Sequence, residues 1–142
     1  MAPVLPAEAR EQTAAGAIAF VRHYFAVVDY AYATGDTAPL AAVSDPGCGP
    51  CGGLKEMIDS TIKKGGSYNA LTIDVSELTV PDGEPQGAIE VHMIYSADGA
   101  IELDSKGTEV DRLESANDEL VRIVLVPSGD RWLMYDYSEM TA

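Results

Sequence analysis

Cys48-Gly49-Pro50-Cys51 is the segment of this 142-residue chain best equipped for chemistry. Two thiols three positions apart, at the point where a helix should begin, sit where the dipole and free amides favour the thiolate, the form that attacks disulfides. Read alone, the tetrapeptide spells a thiol-disulfide redox site. Its surroundings read otherwise. Such sites follow a buried strand of a βαβ unit, whereas here two helical segments and an Asp45-Pro46-Gly47 turn come first, and no helix follows the last strands. A structural Cys48–Cys51 disulfide in an oxidising compartment therefore outweighs catalysis. It closes so short a loop that it contributes only about 2 kcal/mol through the unfolded chain.

An aspartate in an apolar pocket, with a tyrosine hydroxyl beside it, is a second chemistry: burial raises the carboxyl pKa and the phenol steadies an oxyanion. Asp29, Tyr24, Tyr30, Tyr95, Tyr135, Asp136 and Tyr137 supply the groups. Asp29 falls on a polar helix strip and is expected in solvent. Asp136 shares a strand face with Trp132 and Met134, which makes Asp136, with Tyr24 and Tyr135, the catalytic candidate set; a solvated strand-end carboxylate is the plainer reading. Metal binding has little to stand on. His23 and His92 are the only histidines, with no paired-ligand spacing, and the acidic run Asp98 to Asp104 lacks a calcium-loop pattern. His23 is expected at the edge of its helix face, and His92 on an outward strand face with Glu90. No phosphate loop, dinucleotide fingerprint or nucleophile elbow occurs, so no cofactor and no metal are expected.

The elements that must position these groups are legible from periodicity. Ile18, Val21, Phe25, Val28 and Tyr32, doubled by Ala17, Phe20, Tyr24, Val27 and Ala31, predict one long helix with a wide apolar face, starting near Pro6 and ending at Gly35. Asp36 or Thr37 should cap a short helix to Val43, and a third should run from Leu54 to Lys64. Period-two patterns then predict strands at Leu71 to Val75, Ile89 to Tyr95, Ala100 to Leu103, Thr108 to Leu113, Glu119 to Val126 and Arg131 to Tyr137. Helices first and strands after argue an α+β fold with an antiparallel sheet. The expectation is a single domain over residues 1–142, with 1–5 as a disordered lead-in.

Composition narrows the partners. Nine Lys plus Arg against 23 Asp plus Glu leave a net charge of −14, which repels nucleic acid and anionic membranes. Asp82 to Glu119 carries much of this, and its plain reading is a solvated sheet edge that discourages aggregation. The apolar runs fall short of a spanning helix.

The stretches Thr13-Ala-Ala-Gly16-Ala-Ile-Ala-Phe20-Val-Arg-His-Tyr24, Tyr30-Ala-Tyr-Ala-Thr-Gly-Asp36 and Ser44-Asp-Pro-Gly-Cys48-Gly-Pro-Cys51 resemble an uncharacterised family of actinobacterial lipoproteins. The Asp130-Arg-Trp132-Leu turn resembles its closing hairpin. The resemblance implies a nuclear transport factor 2-like (cystatin-like, SnoaL-like) cone: a long helix and two short ones on a curved antiparallel sheet of five or six strands. It also implies an extracytoplasmic address, with a signal peptide, lipidated cysteine and tether ahead of the domain. Met1 to Pro6 has neither a basic nor an apolar leader segment, so the lipid anchor is expected to lie outside this sequence.

The resulting expectation is a non-enzymatic envelope module that binds a partner protein or a small apolar ligand, with a homodimer as a further option. A cone-type enzyme using an Asp/Tyr pocket on a small apolar substrate is the alternative. A redox protein using Cys48 and Cys51 is the third reading.

Overall fold

A computed structural model describes residues 1–69 and 72–140. Helix α1 spans Ala14–Thr34, α2 Ala38–Ala42 and α3 Gly49–Lys63, and seven strands follow: β1 Ser67–Tyr68, β2 Ile73–Thr79, β3 Ile89–Ala97, β4 Ile101–Leu103, β5 Glu109–Arg112, β6 Ala116–Ser128 and β7 Arg131–Glu139. They form two antiparallel sheets rather than one, ordered β2-β3-β6-β7 and β1-β4-β5. The expected strand start at Leu71 lies outside the described residues. β1 was too short to show a period.

The doubled apolar rhythm of α1 has the predicted result: Phe20, Val21, Tyr24, Val27 and Ala31 are at most 1% exposed, while Arg22, Ala26 and Ala33 face solvent. The helix lies against β2, β3 and β7, over Val91, Met93, Ile123, Leu125, Trp132 and Met134. Bulges at Ser76/Thr79, Tyr95/Ala97 and Val124/Leu125 bend the larger sheet around it. Ala31, Ile58, Tyr68 and Ala100 make a second, smaller core under the other sheet.

Two helix starts depart from expectation. The Pro6 start yields only a 3₁₀ turn, Ala7–Arg10, and α1 begins at Ala14, capped by the Thr13 hydroxyl, which accepts from the Gly16 amide at 3.0 Å. A tertiary contact accompanies the break: the Trp132 indole donates to the Glu11 carbonyl at 3.1 Å. Gly35 does stop α1, at φ 78°. Asp36 rather than Thr37 supplies the polar cap of α2, accepting from the Ala38 amide at 3.1 Å, while the Thr37 hydroxyl donates to Asp59. α3 begins five residues before Leu54, at Gly49, so Cys48 is its N-cap and Cys51 lies in its first turn; Pro50 there needs no amide partner.

The return of the 3₁₀ turn onto α1 depends on Gly16. A Cβ there would meet the Glu11 carbonyl oxygen at 2.0 Å and the Glu8 carbonyl oxygen at 3.0 Å. Both obstacles are backbone, so Gly16→Ala is expected to destabilise by about 2 kcal/mol and lower Tm by roughly 5 °C. Ala15→Ser, at an exposed neighbour, should leave the thermal melt by circular dichroism unchanged.

Candidate functional site

The alternation of the larger sheet sets what faces α1. Tyr95 pairs across strands with Glu119, Val121 with Glu139, and Ile123 with Tyr137, and these residues share the face that carries Val91 and Met93. At the other end of that face Trp132 and Met134 fill the space completely. Here the strands run past the last turns of α1 and leave a cleft of ≈ 330 Å³, bounded by Phe25, Val28 and Tyr32 of α1, Leu54 of α3, and Tyr95, Glu119, Val121, Tyr137, Ser138 and Glu139 of the sheet.

Aromatic rings make its walls. Phe25 lies 5.6 Å from Tyr95 and 5.9 Å from Tyr137 between ring centroids, inclined at 58° and 72°, so the rings stand at angles and do not stack face to face. Burial pushes the phenols of Tyr32, Tyr95 and Tyr137 above their ordinary range, and for Tyr95 nearby Tyr137, Glu119 and Asp29 add to it. The phenols therefore stay neutral and serve as hydrogen-bonding groups in an apolar surround. Glu119 is half-buried and Glu139 exposed, so carboxylates stand at the rim.

Asp136 is not part of this site. Tyr135 is the extra residue of the Val124/Leu125 bulge, and it inverts the alternation of β7: Met134 pairs with buried Leu125, but Asp136 pairs with outward Val124, and Tyr137 takes the inner face. Tyr135 itself is 43% exposed. Tyr24 is wholly buried beneath the cleft, donating to Cys51 Sγ at 3.3 Å and packing edge-on to Phe25 and Tyr137. Tyr30 donates to Asp36 at the end of α1, away from the cleft. Asp29 is half-buried instead of solvated, and burial lifts its carboxyl above the ordinary value, yet it stays outside the cleft lining. Glu119 and Glu139 were not among the candidates, although period two from Val121 and Tyr137 puts both on the inner face.

Cys48 and Cys51 are joined in a disulfide, with Cα atoms 5.3 Å apart and residue exposures of 4% and 3%. Cys48 is also the N-cap of α3, its sulfur accepting from the Cys51 amide at 3.2 Å. The bridge lies under α1 and beside the segment Val43 to Asp45, which hydrogen-bonds to Met134 of β7. His92 is on the outer sheet face, as expected. Its Nε2 donates to Glu90, whose other oxygen accepts from Arg122 Nε at 2.7 Å. The hydrogen bond from His92, and then Arg122, hold the Glu90 carboxyl below its ordinary value. His23 is 7% exposed, not at the helix edge, and burial lowers its pKa. Among the described residues no three His, Cys, Asp or Glu side chains gather as a metal site. In the acidic run, Asp104 accepts from the Lys106 and Thr108 amides and closes the β4–β5 turn.

The family model DUF6318, described as a family of unknown function, matches residues 2–137. No curated protein matches the chain in sequence. Among solved structures, the intermembrane-space region of the chloroplast protein ARC6 is similar at 17% identity, with 91% of this chain and 97% of that one covered and a TM-score of 0.63. Aln2 from a Streptomyces species aligns at 12% identity over 87% of this chain and 89% of its own, with a TM-score of 0.53. An NTF2-like family protein from Streptomyces avermitilis aligns at 12% identity over 88% and 97%, with a TM-score of 0.51. At these identities the likeness concerns the fold, and that fold is NTF2-like.

Two measurements check this description. Neither cysteine of the native protein should react with iodoacetamide before a reductant is added, and the protein should not catalyse insulin reduction; fast turnover would make the pair a redox centre. Glu90→Gln should cost about 1 kcal/mol at neutral pH. Because the folded pKa of Glu90 is depressed, its contribution is fully present above the ordinary value of 4.5 and is lost as pH falls through the lower folded value. The melting difference between wild type and variant should therefore narrow as pH falls below 4.5.

Proposed function

The chain belongs to the DUF6318 family, and from that premise we propose that it is a non-enzymatic binding module of the cell envelope that takes a small apolar ligand in the cleft between α1 and the end of the larger sheet. The observation that carries this reading is the cleft itself, a space of ≈ 330 Å³ with an aromatic and aliphatic floor and polar groups only at a few points. Neutral phenols orient a ligand by hydrogen bonds without exchanging protons at neutral pH. The Asp/Tyr enzyme reading loses its best acid, since Asp136 faces away from this space.

The envelope address rests on two supports. A buried disulfide favours an oxidising compartment, and the N-terminal half resembles lipoprotein domains. Among the described residues no helix is long and apolar enough to cross a membrane; attachment by a lipid anchor rests on the lipoprotein resemblance alone. A partner protein, or a second copy of the chain, would bind elsewhere than in the cleft.

The neutral fluorophore N-phenyl-1-naphthylamine tests the cleft. It should bind with a stoichiometry near one and lose about tenfold in affinity in Leu54→Trp, a change that fills the space from α3, provided circular dichroism shows that variant folded. Absent binding, or binding that ignores Leu54→Trp, would remove the reading. Native mass spectrometry of protein purified from its own envelope should show a retained small ligand.

A further inference from the structure

We infer that the ligand of this cleft is an organic cation, an alkylated ammonium head carrying an apolar body. The inference rests on the cleft being a binding site and adds what chemistry it selects. Four aromatic rings, Phe25, Tyr32, Tyr95 and Tyr137, line one space together with two carboxylates, Glu119 and Glu139, while no described lining residue is basic. The rings stand at steep angles to one another and are not stacked, and an aromatic ring face exposed to such a space attracts a methylated ammonium group.

The register makes this combination a product of the backbone rather than of two chance surface charges. Glu119 stands opposite Tyr95, and Glu139 stands opposite Val121, on the sheet face that α1 covers farther along. A head at the rim therefore meets carboxylate and ring together, and a chain attached to it extends inward over Phe25, Val28, Leu54 and Val121. Two cations on adjoining elements are already engaged: Lys55 Nζ lies 2.7 Å from Asp59, and Arg22 donates to the Val75 carbonyl at 3.4 Å. An anionic ligand would face both glutamates and a chain of net charge −14, which instead draws cations toward the opening.

Titration of the ¹⁵N-labelled protein with hexyltrimethylammonium, 1-heptanol and heptanoate separates head recognition from simple apolar filling. The expected result is that hexyltrimethylammonium shifts the amides of Tyr95, Val121 and Tyr137 and binds about tenfold tighter than the alcohol, with heptanoate weakest. The double variant Glu119→Gln/Glu139→Gln should weaken the cation about tenfold and leave the alcohol within a factor of about two. Tyr95→Phe, which keeps the ring, should hold cation affinity where Tyr95→Leu loses it. Equal affinity for cation and alcohol, or a cation insensitive to loss of the glutamates, overturns this inference while leaving an apolar cleft. Failure of all three probes to shift those amides overturns both it and the binding reading.

Discussion

Burial of the unusually broad apolar face of α1 is the constraint from which the rest of this architecture follows. A helix with two adjacent apolar rows cannot be satisfied by a flat surface, so the sheet beneath it must wrap, and three bulges supply the bend. Each fully covered Phe, Val or Leu side chain contributes about 1.5–3 kcal/mol, more than any ion pair on this surface. The disulfide belongs to the same core: Tyr24 of α1 donates directly to Cys51. The cleft is the part of that face the strands do not close, past Phe25, where rings have no larger side chain opposite them.

The site and the packing therefore share residues. Tyr24, Phe25 and Tyr137 touch one another, and two of the three also line the cleft. Its floor is thus held by the core, as a preorganised pocket requires, whereas the rim glutamates are free of core duties. Charge at the opening can change with little effect on folding; the aromatic wall cannot.

Periodicity made the helices and strands readable wherever a pattern ran long enough. Eight of the ten apolar positions of α1 are buried in the core and Tyr32 packs against it, with Ile18 only half-buried, and the alternation of Ile89, Val91 and Met93 reached the core as expected. Gly35 marked a helix end because few other residues adopt its positive φ easily. Readings failed where a distant partner or one extra residue decided. Nothing local says that Glu11 gives its carbonyl to Trp132, so the break before Ala14 was invisible. Nothing local says that Tyr135 is bulged, and that one residue moved Asp136 to the wrong side of the sheet and Tyr137 to the right one. Glu119 was legible by parity, but a lone glutamate gives no sign of the cleft until its opposite number, Tyr95, is known.

The bonds that tie residues 11 and 12 to residues 131 and 132 bear on how the molecule comes into being. Gln12 donates to the Arg131 carbonyl and Trp132 to that of Glu11, both at 3.1 Å across more than a hundred positions. The helix can settle on β2 and β3 as they form, but the segment ahead of it finds its seat only when nearly the last strand has arrived.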